Sequence, residues 1–565
     1  MSPYSSTLLM SFALLGSSAA STISPQAQRV CDEIHSTAPS RLAYAPSSSK
    51  ASLNSPYLAG LYTNTTATYW DAANDADVPA CAFFPSCSED VSAAIIALGK
   101  EPGVPFALKS GGHNWNRGFS STDGGVLISF RPNLQSTSLA PDGLTAKVGP
   151  GARWVEVMQE LDKSNKCAVG GRSGDVGVGG YVVQGGISYL TSQYVRQHLL
   201  VAAPAANTDF LIKGFSCDNV VEYELVTANG TILSVNNYTH PDIFSALCGG
   251  GNAFGVVTTY TLQAHDIGDV WGGGRTYGPD QLDKLNAAIA EFISGNQDPS
   301  AAIILDYVFV ALNQTNQITV AYFYDGSTPQ SDVFATFLAI PYLGVDGITT
   351  QRYPELLDTK VTSALGLRTS NVFNSLPNMS TEEMRLFLDW HWNNASNAPF
   401  VSSRQINGLE LFSMALQPIP IALQRASAAH GPSALSLDPD HGDKLWIEYD
   451  AGWTNPADDG ILPQQLKSVA DDALAYQKET YKGVKPTNYV SGDLSVVPYN
   501  PLFMNDAQYT QDVLQSYGPA TYDKLWFLNK LLDPEGFFTS RQNGFFFKTP
   551  PGGMTVPPSH DWRAT

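Results

Sequence analysis

Three glycine-rich loops constrain this chain more than any other feature. The first, Lys109-Ser110-Gly111-Gly112-His113-Asn114, follows the apolar run VPFAL. The second spans Gly170 to Gly186 as GGRSGDVGVGGYVVQGG. The third, Gly249-Gly250-Gly251-Asn252-Ala253-Phe254-Gly255, closes a helical stretch and opens the run VVTTYTL. Glycine admits positive φ and lets a ligand approach the backbone. Successive backbone N–H groups in such loops form nests for anions. The chain carries 32 Lys and Arg against 52 Asp and Glu, a net charge of −20 without a basic run. That balance excludes nucleic acid and anionic lipid as partners. An acidic protein that binds a pyrophosphate through backbone rather than cationic side chains would be built this way. Neither common nucleotide fingerprint is present: Gly177 and Gly179 fit GxGxxG but Val182 breaks it, and no GxxxxGKS/T occurs.

Around the loops, residues 78–265 alternate short β-branched runs (GGVLISF, TAKVGPG, VVEYELVTANGTILSV) with turns. One helix is expected over Ala152–Lys163, apolar at Trp154, Val155, Met158 and Leu161. Asp123-Gly124 and Asn229-Gly230 read as hairpin-type turns feeding strands. Residues 266–490 alternate helical patterns (Gln281–Phe292, Thr381–Trp392, Pro463–Lys482) with strands (Ala302–Val310, Ile318–Tyr324, Lys444–Asp450), which predicts one sheet covered by helices. Residues 22–70 read as an irregular arm with short helices. A chain of 565 residues, 43% apolar, has material for two large cores.

The N-terminus predicts export. Leu8 to Leu15 form a short apolar core, and Ser17-Ser18-Ala19-Ala20 suits cleavage after Ala20, giving a signal peptide over 1–20. The run is too short to span a membrane. Six N-x-S/T acceptors agree with secretion: Asn64, Asn229, Asn237, Asn313, Asn378 and Asn394. The six cysteines form no CxxC pair, so no metal site is expected. Cys31 is placed to pair with Cys81 or Cys87 in an oxidising compartment, while Cys217 and Cys248 read as plain buried residues.

Taken together, KSGGHNWNRGFSSTDGGVLISF, VGPGARWVEVMQEL, GDVGVGGYVVQGGISYLTSQY, GFSCDNVVEYELVTANGTIL and DIFSALCGGGNAFGVVT resemble the FAD domain of the berberine-bridge-enzyme-like flavoproteins. These belong to the vanillyl-alcohol-oxidase / para-cresol-methylhydroxylase superfamily. The tail NDAQYTQDVLQSYG to LDPEGFFTSRQNGFFF resembles their C-terminal segment. The resemblance implies an α+β, two-domain flavoprotein: an FAD-binding α+β domain at 78–265 and a substrate domain of one antiparallel sheet covered by helices at 266–490. An N-terminal arm (21–77), a C-terminal segment returning to the FAD domain (491–548) and a tail (549–565) complete the division.

The resemblance also implies covalent FAD on His113, whose neutral imidazole is a nucleophile. Some relatives attach FAD a second time through a Cys where this chain has Ser173, and a hydroxyl is far too weakly acidic to replace a thiolate, so single attachment is expected. Ser110, Gly111, Gly112, Asn114, Gly174, Asp175, Gly179 and Gly180 match cofactor-contacting motifs, and Asn505 matches an Asn near the flavin ring. Asp506 stands where many relatives have Tyr, and Ser245 and Cys248 depart from the usual third loop. In the family pattern ISYLTSQY runs into GFSCDNV; here 195–213 intervene, readable as a lineage-specific loop or, preferentially, as an unspliced intron that would join Tyr194 to Gly214 on removal.

The implied activity is that of a secreted, monomeric FAD-dependent oxidoreductase taking hydride from a small organic donor (alcohol, sugar or amine/heterocycle), with O2 as electron acceptor. A secondary-metabolite tailoring oxidase and a flavin-retaining binding protein without turnover are the alternatives. A general base is expected within hydrogen-bond reach of the donor. Alternation along Lys444–Asp450 puts Glu448 on one face and Tyr449 on the other. Tyr449 is the first candidate base, with Glu410, which lies near where some relatives place a catalytic carboxylate.

Overall fold

The computed structural model describes residues 23–192, 213–295, 298–310, 315–357, 366–398, 401, 408–435 and 437–548. The expected signal peptide, the tail 549–565, Asn313 and all of 195–213 except Lys213 lie outside them. Lys213 is buried, its Nζ 3.5 Å from Asp325 Oδ2.

The first sheet runs in the order Leu42–Tyr44, Cys81–Phe83, Val126–Ser129, Phe106–Lys109. Its last three strands are parallel. The turn at Asp123-Gly124 therefore feeds a parallel strand, not a hairpin; Asn229-Gly230 does join antiparallel Val220–Val226 and Ile232–Val235. The helix Ser88–Gly99 buries Val91, Ala94, Ile95 and Leu98, one stripe at helical spacing. Where the N-terminal residues read as an irregular arm, the structure has the thirteen-residue helix Pro25–Thr37 and an edge strand of this sheet, stapled by the Cys31–Cys81 disulfide. Cys87 is free.

The second sheet is antiparallel in the order Thr137–Leu139, Thr145–Val148, Val256–Gln263, Val220–Val226, Ile232–Val235. Beside it the helix Trp154–Asp162 buries Trp154, Val157, Met158 and Leu161. Trp154 lies flat against the second glycine loop: a Cβ on Gly170 would come within 2.2 Å of its ring.

The third sheet has seven strands in the order Thr349–Arg352, Asp269–Tyr277, Thr315–Tyr324, Ala301–Val310, Leu409–Ile419, Lys444–Trp453, Arg368–Pro377. Every pairing in it is antiparallel. One face packs Tyr307, Val320, Met414 and Tyr449 into a core with residues of the helices Leu282–Gly295, Thr381–Ser396 and Leu462–Thr480. The opposite face turns Phe323 and Phe373 into the core shared with the glycine loops. The C-terminal residues bridge the two halves: Asn116 Nδ2 donates to the Ala507 carbonyl at 3.0 Å on the glycine-loop side, and the Phe373 N–H of the seven-stranded sheet donates to Gln511 Oε1 at 3.0 Å. Among the described residues no helix is long and apolar enough to cross a membrane.

Candidate active site

A cavity of about 740 Å³ opens between the glycine loops and the helix-free face of the seven-stranded sheet. Its loop wall is made by backbone. A Cβ on Gly177 would sit 2.2 Å from the Gly111 nitrogen, so the first two loops touch only because both positions lack side chains. Ser110 Oγ locks them, donating to the Pro150 carbonyl at 2.5 Å and accepting from the Gly179 N–H at 3.1 Å. Gly180 faces open space, and Gly251, Asn252 and Gly255 of the third loop complete this wall.

His113 projects from the first loop at the end of Phe106–Lys109. Its ring stacks on Trp70 at 4.3 Å between centroids, 21° from parallel, with the Trp115 ring edge-on at 6.4 Å. Trp70 is itself held by its N–H bond to the Gly112 carbonyl, 2.9 Å. The imidazole is 22% exposed, on the cavity side, and its Nε2 has no hydrogen-bond partner; Asp175 Oδ1 is 3.7 Å away. Burial lowers the His113 pKa, partly offset by Asp175, so the ring is neutral.

The sheet wall is made by side chains. Asp306 projects from Ala301–Val310 and Glu448 and Asp450 from Lys444–Trp453, with Leu409–Ile419 between the two strands, and Asp506 joins them from the C-terminal segment; Arg172 is the cation among them. Arg172 also hydrogen-bonds Gln417, and Ser413 Oγ donates to Asp450 Oδ2 at 3.2 Å. Burial pushes Asp306 and Asp506 each up to about 6, with Arg172 opposing. Glu448 and Asp450 are raised well above the carboxylate range by burial and by their acidic neighbours. Like charges crowded in a poorly solvated wall favour protonation in this way.

An FAD binding domain profile matches residues 79–204. An uncharacterized FAD-linked oxidoreductase of Arthroderma benhamiae is 30% identical over 86% of this chain and 90% of its own length. The chain belongs to the FAD-linked oxidoreductases. The FAD-dependent monooxygenase FUP4 of Fusarium proliferatum is 30% identical over 88% of this chain and 89% of its own. Among solved structures, Physcomitrella patens BBE-like 1 superposes with a TM-score of 0.66 at 16% identity, covering 92% of this chain and 99% of that one. The fold is thus that of the berberine-bridge-enzyme-like flavoproteins.

The residues present suit the flavin of an FAD-linked oxidoreductase: a backbone cradle that a Cβ would fill, beside a neutral imidazole with an unpartnered nitrogen. Of the residues expected at the cofactor, Ser110, Gly111, Gly112, His113, Asn114, Gly179, Gly180 and Asn505 line the cavity. Asn505 also ties walls together, accepting from the Gly186 N–H at 3.1 Å and donating to the Tyr181 carbonyl at 3.2 Å. Gly174 and Asp175 do not line it. Gly174 is required by packing, since a Cβ there would lie 2.7 Å from the Leu357 carbonyl oxygen. Asp175 accepts from Ser173 Oγ at 2.7 Å beside His113.

Both candidate bases need correction. Tyr449 is fully buried on the helix-covered face, its hydroxyl 2.7 Å from His391 Nε2, because strand alternation turns Glu448 and Asp450 to the cavity instead. Glu410 falls at a register shift between Leu409 and Leu411 and does not line the cavity, whereas Leu411 and Ser413 do. Asp306, an isolated acid within AAIILDYVFV, was the sequence signal for the acidic wall. Cys217 and Cys248 are not plain buried residues: they form a disulfide, which also removes their sulfurs from the metal-like grouping with Asp218. Ser245 Oγ bonds the Pro432 carbonyl at 2.8 Å. Of the glycosylation acceptors, Asn64, Asn229 and Asn237 are exposed and Asn394 is half-buried. Asn378 is fully buried with its Nδ2 on Thr487 Oγ1 at 2.8 Å and cannot carry a glycan in the folded chain.

Proposed function

We propose a secreted, monomeric FAD-dependent oxidase that takes hydride from an alcohol, sugar or amine donor and uses O2 as final acceptor, with FAD held by a single covalent bond to His113. The observation that carries this reading is one cavity with a neutral, unpartnered imidazole on one wall and ionisable carboxylates on the other. The proposed division of labour follows the domain boundaries drawn above, 78–265 for the cofactor and 266–490 for the substrate. FAD, when bound, supplies a two-electron acceptor for the hydride leaving the donor carbon.

In this reading Ser110 and the backbone of Gly111, Gly112, Asn114, Gly179 and Gly180 hold the dinucleotide. His113 supplies the nucleophilic nitrogen, and Ser173 supplies no second one. Asp506 replaces Tyr449 and Glu410 as general base. Its pKa near 6 makes it a competent acceptor at neutral pH, whereas burial and acidic neighbours raise Glu448 and Asp450 well above their ordinary values. Phe503 and Tyr189 line the cavity with apolar surface that excludes water. Secretion is supported by the two disulfides. The tailoring reading is supported by the name of the Fusarium relative, a monooxygenase.

Acid-precipitated protein should stay yellow and yield a flavin peptide containing His113; all the FAD in the supernatant would refute the tether. Anaerobic bleaching by a donor library, with peroxide release on admitting air, tests the oxidase; a flavin that no donor bleaches would refute it.

A further inference from the structure

The acidic wall contains more than a base requires. Three strands place polar groups in register on one face: Ser413 opposite Asp450, and Asp450 opposite Asn371. Asn371 is completely buried, and neither its Oδ1 nor its Nδ2 has a hydrogen-bond partner; Asp450 Oδ1 is likewise buried and unpartnered. Buried polar groups left unpaired are costly, so the unpartnered Oδ1 of Asp450, a cavity-lining residue, points to a polar ligand at this wall, with Asn371 packed behind it and off the lining. Asp306 faces the same space from Ala301–Val310, and Asp506 from the C-terminal segment. The neighbouring strand Thr315–Tyr324 adds Gln317, Thr319 and Ala321, none of them charged.

We propose that the cavity selects a donor carrying a protonated nitrogen, its N–H groups directed at the carboxylates of Asp306 and Asp506. The inference rests on the oxidoreductase reading for what the cavity binds, and it narrows the donor class from alcohol, sugar or amine to amine. Above pH 6 Asp306 and Asp506 are ionised against the single guanidinium of Arg172, leaving an excess of one negative charge. An ammonium ion cancels that excess, and a neutral alcohol does not. Below pH 6 the same two groups take up protons, Glu448 and Asp450 are raised well above their ordinary values by burial and acidic neighbours, and Arg172 then repels a cation. The tyrosines Tyr181 and Tyr189, also on the lining, stay neutral because burial raises both.

The test uses holoenzyme and two probes of one shape, 2-phenylpropan-2-amine and 2-phenylpropan-2-ol. Neither has a C–H bond beside the heteroatom, so both report binding without turnover. Binding is read from perturbation of the flavin spectrum and from thermal shift. At pH 7.5 the amine should bind roughly tenfold tighter than the alcohol, the scale of one charge-assisted hydrogen bond. The preference should collapse by pH 5. Asp306→Asn should weaken the amine by roughly fivefold without moving the alcohol, and Asp306→Glu should restore it. Equal or weaker binding of the amine at pH 7.5, or a ratio that ignores pH, overturns the proposal; the wild-type pH series decides alone if Asp306→Asn does not fold. Benzylamine, which does carry the C–H bond, separates the two readings together with the donor library: a flavin that binds the unreactive amine but is bleached neither by benzylamine nor by any other donor refutes the oxidase and leaves the selectivity standing.

Discussion

The two walls of the cavity solve binding in opposite ways. The glycine wall uses backbone: loops in contact at Gly111 and Gly177, a hydroxyl lock at Ser110, and one neutral ring at His113. The sheet wall uses side chains whose charge changes near neutral pH: Asp306 and Asp506, with Glu448 and Asp450 raised well above their ordinary values by burial and acidic neighbours. A backbone wall cannot be retuned by pH and tolerates almost no added volume. A carboxyl wall responds to pH and tolerates substitution at a measurable but limited cost. The first suits a permanent occupant and the second a passing one.

The sharpest break in that comparison is Gly177→Ala. Its Cβ would lie 2.2 Å from the Gly111 nitrogen and 2.4 Å from Ser110 Oγ, so the loops must part. Flavin content of the purified protein should fall by at least about tenfold, since backbone has no rotamer by which to yield. Unchanged flavin absorbance would show that the contact is dispensable.

Asp506→Asn should come next, lowering anaerobic flavin reduction by roughly 10²- to 10⁴-fold, the usual contribution of a positioned base. The wild-type rate should fall as pH drops through about 6, where Asp506 takes up its proton, and the variant should lose that limb. A wild-type limb retained in the variant would assign the base elsewhere.

Asp306→Asn should stabilise the protein at pH 7.5. The folded-state pKa of Asp306, about 6, lies above its ordinary 3.8. The folded chain therefore holds the proton more tightly, and stability is lost as pH rises from about 4 to about 6. The asparagine avoids that loss, at most about 3 kcal/mol at 1.36 kcal/mol per pKa unit. Melting temperatures of the two proteins should converge near pH 4 and diverge as pH rises to about 6, the gap then holding at higher pH.

Tyr449→Phe is the smallest effect. It removes the hydroxyl partner of His391 Nε2 in the helix-covered core, costing about 1–3 kcal/mol of stability. Turnover should stay within about twofold, since hydroxyl and cavity lie on opposite sides of the sheet. A large loss of turnover would restore Tyr449 to the chemistry.

The same contrast explains what could be read from the chain. Glycine at 111, 112, 177 and 179 advertises a backbone demand directly, and the helix Trp154–Asp162 and the strands Ala301–Val310 and Lys444–Trp453 followed from periodicity. The alternation at Glu448 and Tyr449 was equally legible, but which face meets the cavity depends on register with Leu409–Ile419 and Arg368–Pro377, and a shift of one residue exchanges the faces. The Cys217–Cys248 disulfide joins loops whose proximity no spacing signals.

Asn116 has a consequence for how the molecule is made. Its amide accepts from the Tyr509 N–H at 2.8 Å, a partner 393 residues further along the chain. At about 5–20 residues per second, ribosomes take roughly 20–80 s to supply that partner. Until then neither Asn505 nor Asp506 is in place, so the pocket is complete only once the C-terminal segment has been made and has folded back onto the first glycine loop.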